Sequence, residues 1–171
     1  LARLPHMAAG TATDAGQLRQ ALFHELQGLV TARYGRQLAP VVAVQVEQAR
    51  QRLAAFAKLQ AARNQEGWQI WATEVDVGRE RAVLLTIPGQ EPMPLVGRID
   101  RIDYHPATGC YALWDYKTSD QPVTPWSAHW SRAKGWSQVQ LPLYQWMAPA
   151  LGLSGEITTG YIALPRAVDK V

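Results

Sequence analysis

Asp100, Asp115 and Lys117 are the residues whose types and spacing could do chemistry. They fall in residues 97–119, GRIDRIDYHPATGCYALWDYKTS, where two runs of alternating character flank Pro106-Ala107-Thr108-Gly109. Turn residues between two such runs predict a hairpin. With those four as its loop, His105 faces Cys110, and counting back along both strands sets Asp100 across from Asp115 on one sheet face. The same register sets Arg98 across from Lys117 and Ile102 across from Leu113. Two opposed carboxylates, with Cβ atoms about 5 Å apart, repel. A hard divalent cation held by their oxygens removes the repulsion, and Lys117 adds a positive charge one pleat away. An Asp-x-Lys spacing alone is more often a solvated face, with Arg98 pairing to Asp100 and Lys117 to Asp115. The opposed second acid is what favours the metal reading.

Further candidates lie outside the hairpin. Gln140 and Tyr144 stand four apart in a segment that reads as a helix, so they share one face. In residues 120–137, Trp126, Trp130 and Trp136 interleave with His129, Arg132 and Lys134. Such a loop suits single-stranded nucleic acid, where bases stack and phosphates pair. Tryptophans that simply fold the loop onto the core explain the same pattern equally well. His24 lies off the leucine stripe of its helix, among Gln17, Gln20 and Gly28, and on these residues alone reads as a surface histidine. Glu74, between Thr73 and Val75, is either a third metal carboxylate or an exposed strand-end residue; the exposed reading is the commoner.

Asp100, then Asp115-Tyr116-Lys117, then Gln140-Leu141-Pro142-Leu143-Tyr144 resemble the PD-(D/E)XK nucleases, in the branch found in the RecB and AddB subunits of bacterial helicase-nucleases. The resemblance runs from the helix at His24 to the strand ending near Leu164, and three segments in this order are far more specific than any one. It implies an α/β, restriction-endonuclease-like core with a mixed central β-sheet flanked by helices. It also implies Mg²⁺-dependent cleavage of DNA, with Asp100, Asp115, His24 and the Tyr116 backbone carbonyl on the metal (Mn²⁺ substituting), Lys117 on the attacking water, and Gln140 and Tyr144 positioning Lys117 or the phosphate. Arg98, Trp126, Trp130, Arg132 and Lys134 are the expected DNA contacts, and helicase subunits or a helicase domain the expected partners. AddB-type relatives clamp this domain with a four-cysteine iron–sulfur cluster. Cys110 is the single cysteine here, so no iron–sulfur cluster is expected and the chain sits nearer RecB.

These residues need elements to position them. Leu18, Leu22, Leu26 and Leu29 form the stripe of a first helix capped by Thr13 or Asp14. Val42, Val46, Ala49, Leu53, Phe56 and Leu59 or Gln60 form that of a second, with Pro40 at its start and Arg50, Arg52, Lys58 and Arg63 largely off it. Residues 68–77 and 81–87 alternate as strands, the hairpin strands span 95–104 and 110–118, a third helix covers about 138–147, and 155–164 is a last strand. Pro142, early in that helix, either costs one backbone bond or marks a late start.

At 171 residues the chain suits one buried domain, expected over 13–171 with 1–12 as a flexible tether. A start without Met and an end at DKV read as a fragment of something longer. Net charge +3 permits a polyanionic partner without demanding one. No apolar run approaches a membrane span and no signal peptide opens the sequence, so a cytoplasmic setting without membrane contact is expected. No P-loop, dinucleotide fingerprint or Ser/His/Asp arrangement is present. Two other readings remain: a nuclease-fold module that binds DNA or partners without cutting, and a hydrolase of small phosphodiesters, which needs a closed pocket.

Overall fold

The computed structural model describes residues 12–78, 83–118, 124, 130–133, 135–136 and 138–164. The expected tether apart from Ala12, the start of the second strand at Arg81, and the candidate contacts Trp126 and Lys134 lie outside the described residues.

Two compact units divide the chain, one built from the first two helices together with Lys117 and Ala163 at the ends of two strands, and one from the rest of the sheet. In the helical unit, α1 (Ala15–Tyr34) is capped by Asp14, whose Oδ1 accepts the Gln17 N–H at 2.7 Å. Its inward stripe is Leu18, Leu22, Leu26 and Val30, the first and last buried and the middle two half-buried, whereas Leu29 is 69 % exposed. A strict four-residue step carries the stripe to Val30, so the expectation for Leu29 was one position short. The second helix, α2 (Pro40–Gln65), starts on its proline and buries Ala57, Gln60 and Ala61, with Leu18 of α1 packing against the two alanines. Arg50 is not simply solvated: its guanidinium lies 5.7 Å over the Phe23 ring and donates to Gln27 Oε1 at 3.1 Å.

The sheet unit opens with β1 (Gln69–Val77), followed by β2 (Val83–Leu85), β3 (Met93–Leu95), β4 (Gly97–His105) and β5 (Cys110–Lys117). A short pair follows, β6 (Trp130–Ser131) and β7 (Gly135–Trp136), then α3 (Gln140–Met147), a 3₁₀ turn (Ala148–Leu151) and β8 (Ile157–Ala163). Four strands make the main sheet in the order β1-β4-β5-β8. The first two neighbouring pairs are antiparallel. Tyr111 N–H donates to Glu156 and Leu164 N–H to Lys117, so β8 runs parallel to β5 and the sheet is mixed. A parallel return needs a crossover, which α3 supplies.

The central hairpin has the predicted register. His105 faces Cys110, and the pairing continues through Ile102 with Leu113 to Arg101 with Trp114. Gly109 closes the loop with φ +73°, a left-handed position where a Cβ would be strained. Residues 93–95, by contrast, do not extend β4 as a single strand. They pair with β2 in a separate two-stranded sheet, with Pro94 opposite Leu84, and Val96 makes the break. The segment expected as a plain connection also contains the β6–β7 hairpin, in which Gly135, at φ +68°, pairs with Ser131. Pro142 occupies the third position of α3, in the first turn, where no backbone donor has an intrahelical partner to lose.

Candidate active site

Alternation along β4 sends Arg98, Asp100 and Ile102 to one face and Ile99, Arg101 and Asp103 to the other. The sequence R-I-D-R-I-D thus holds two Arg-x-Asp pairs offset by three residues, and the offset places them on opposite faces.

On the first face, extending the register one step beyond Arg101 and Trp114 brings Asp100 level with Asp115. The backbone ladder changes character there. Asp100 Oδ2 accepts the Tyr116 N–H at 3.0 Å, so the side chain takes a bond from the neighbouring strand. Asp115 is 4 % exposed and Asp100 half-buried. Over them lies α3. The Gln140 amide donates to Asp115 Oδ1 and, at 3.1 Å, to the Tyr144 hydroxyl. Burial, reinforced by the charges of Asp100 and Asp115, pushes the Tyr144 hydroxyl up to about 12 against hydrogen bonds from Gln140 and the Asp100 backbone. At neutral pH it is therefore a neutral hydroxyl beside two acids, and adds no third negative charge. Asp100, Asp115, Gln140 and Tyr144, read separately from the sequence, come together in the sheet unit.

Lys117 ends β5 two residues beyond Asp115, on the same strand face by alternation, and its carbonyl accepts the Leu164 N–H at 2.7 Å. His24 is exposed on α1, in the helical unit. Trp130 is half-buried in β6 and Arg132 exposed in the turn after it. Glu74 is exposed and its Oε2 lies 2.9 Å from Arg98 Nε.

The opposite face holds a cluster that sequence reasoning missed. Arg101 and Asp103 are both 0 % exposed and joined by two bonds, Nε to Oδ1 at 2.6 Å and Nη2 to Oδ2 at 3.0 Å. Trp114 Nε1 donates to Asp103 Oδ2 at 2.9 Å, and Arg101 Nη1 reaches the Tyr116 hydroxyl at 3.4 Å. Burial works to lower the Arg101 pKa, but the hydrogen bond and charge of Asp103 outweigh it, and the guanidinium is held above its ordinary value. Gly160 makes room for this arrangement, since a Cβ there would come within 2.7 Å of the Trp114 ring. The signal for this cluster was the second Arg-x-Asp of the repeat, together with the aromatic residues on either side of Asp115. These side chains tie β4 to β5 directly behind the acid pair.

A mixed sheet whose central hairpin carries two acids beneath a helix that supplies an amide and a hydroxyl fits a restriction-endonuclease-like fold. The chain matches the family model of the PD-(D/E)XK nuclease superfamily over residues 2–170, and it belongs to that superfamily. No curated protein matches it. Members of the superfamily generally use a divalent metal such as Mg²⁺. The acid pair fits such an ion in donor chemistry: both side chains offer hard carboxylate oxygens, and burial of Asp115 makes a neutralising cation favourable. Among the described residues no three His, Cys, Asp or Glu side chains form a metal cluster. Two carboxylates suit Mg²⁺, which keeps several of its waters. Among the same residues no helix is long and apolar enough to cross a membrane.

Proposed function

We propose that the protein is a Mg²⁺-dependent DNA nuclease of the RecB/AddB-like branch, an exonuclease of DNA repair or recombination acting in the cytoplasm, with residues 13–171 as a single nuclease domain. The observation that carries this reading is the convergence of Gln140 and Tyr144 on Asp100 and Asp115. A helix amide bonded to the buried Asp115 carboxylate, with a neutral hydroxyl beside both acids, is the support a cation-holding site needs, since ligand orientation depends on the groups behind the ligands.

In this reading Asp100 and Asp115 hold the cation, joined by His24 and the Tyr116 backbone carbonyl. When bound, the ion supplies positive charge against the phosphate oxygens and lowers the pKa of water it coordinates. Lys117 orients the attacking water and offsets charge that grows on the phosphate in the transition state. Gln140 fixes the rotamer of Asp115 through Oδ1, leaving its other oxygen as the ligand, and Tyr144 stays protonated as a neutral neighbour. Arg98, Trp126, Trp130, Arg132 and Lys134 contact the DNA strand, and a helicase subunit or domain delivers it.

Incubating the purified chain with end-labelled single- and double-stranded DNA, in Mg²⁺, in Mn²⁺ and in EDTA, tests this. Progressive shortening from one end, dependent on metal and absent in EDTA, is the expected result. DNA that is bound but never shortened, with metal present and a helicase partner supplied, would replace the enzyme with a silent binding module.

A further inference from the structure

Glu74 is the sole non-glycine among the described residues whose backbone takes a positive φ, at +51°. It sits inside β1 between Thr73 and Val75, whose partners on β4 are Arg101 and Ile99, so Glu74 lies across from Asp100. The direct cross-strand partner of Arg98 is Asp76, yet Arg98 Nε lies 2.9 Å from Glu74 Oε2. The ion pair is therefore diagonal. It draws the guanidinium one pleat along the strand, toward the row that holds Asp100 and Asp115. Both side chains are more than half exposed, at 59 % and 58 %, where an ion pair contributes little to stability. A left-handed glutamate inside a strand is thus not explained by burial or by the pair's own energy, and backbone strain of this kind gathers where function requires it.

We infer that Glu74 is a positioning residue for DNA binding: it orients Arg98 so that the guanidinium receives a backbone phosphate of the strand seated at the acid pair. The 2.9 Å contact uses Nε, on the side edge of the guanidinium, and the end-on edge, where both Nη groups donate, is the planar fork that matches a phosphate. This rests on the nuclease reading above for its substrate.

Equilibrium binding of a short labelled oligonucleotide, single-stranded and duplex, in EDTA, together with steady-state cleavage in Mg²⁺, tests the inference on wild type, Glu74→Gln, Glu74→Gly, Arg98→Ala and the double variant Arg98→Ala/Glu74→Gln. Glu74→Gln is expected to weaken binding and raise KM by about threefold to tenfold while kcat moves less than about twofold, the pattern of lost binding rather than lost chemistry. In the Arg98→Ala background the same change should cause no further loss. Glu74→Gly should lose as much binding with a melting temperature equal to or above wild type, because glycine adopts this backbone freely. A purely structural role predicts instead that Glu74→Gly binds normally. Glu74→Gln binding as tightly as wild type or tighter, or a loss that persists in full without Arg98, overturns the inference. If wild type binds DNA but cuts none, the nuclease reading falls and the binding cycle still decides this one; if it binds neither form, the inference falls as well.

Discussion

Asp100 Oδ2 accepts the N–H of Tyr116 at 3.0 Å, so a side chain on β4 holds the backbone of β5 beside Asp115. The ordinary ladder reaches only Arg101 and Trp114. From there the Asp100 side chain, and no longer main-chain bonds alone, connects the two strands. A carboxylate with one oxygen committed to a backbone donor has its plane set before any ligand arrives, which is preorganisation in the literal sense.

Cation binding should therefore register as stability. Mg²⁺ or Mn²⁺ at a hundredfold excess over its Kd is expected to raise unfolding free energy by about 2.7 kcal/mol. Asp115→Asn should abolish the gain. Thermal melts of both proteins across a metal titration check this, and equal shifts in the two would remove Asp115 from the metal site.

In the proposed mechanism Lys117 separates holding a metal from cutting DNA. The first needs only the metal ligands, whereas cleavage also needs positive charge where it develops in the transition state. Lys117→Ala should bind metal and DNA as wild type does and lose cleavage by about a hundredfold or more, the size of one preorganised electrostatic contact. Lys117→Arg should restore little, because a planar guanidinium does not replace a compact ammonium. Single-turnover rates decide it; an unchanged rate in the alanine variant would end this assignment.

Tyr144 makes an alkaline prediction. Its folded-state pKa, about 12, lies above the ordinary 10.0, so between those values the unfolded chain releases a proton that the folded chain keeps. The native state then binds more protons than the unfolded one, and stability falls as pH rises through this window. Its contribution is fully present below the lower value. Urea unfolding at about pH 9 and about pH 11 should show a loss in wild type that exceeds the loss in Tyr144→Phe. Equal losses would mean that Tyr144 titrates as an ordinary tyrosine.

Behind the site, Arg101 and Asp103 should behave as a buried pair. Arg101→Met leaves the Asp103 charge buried and is expected to cost about 3–5 kcal/mol, whereas Arg101→Met with Asp103→Leu should cost far less, since neither charge remains. Denaturant midpoints of the single and double variants provide the comparison. A double variant as unstable as the single one would show that Trp114 and Tyr116, more than the ion pair, depend on this geometry.

Much of the hairpin was legible in the sequence because its determinants are local. Gly109 after Pro106-Ala107-Thr108 sets the turn, a period of two sets the faces, and together they specify His105 against Cys110 and all pairs back to Arg101 with Trp114. The same holds for the cap of α1 at Asp14 and the start of α2 at Pro40, which depend on one or two neighbouring residues. What α3 covers was not legible. Nothing in the spacing of Gln140 and Tyr144 says which strands they meet, because that follows from a parallel crossover onto β8 and the packing of one helix on one face. Nor could spacing show that Arg101 and Asp103 are fully buried while Arg98 stands in solvent and Asp100 is half-buried: the same residue types, in the same Arg-x-Asp pattern, differ only in what packs against each side of the sheet. The left-handed turn of Glu74 is likewise a tertiary decision, since a glutamate left to its own propensity avoids it. Local sterics and period determine strands and turns; long-range packing determines which charges are buried, and so which serve the fold and which are left for chemistry.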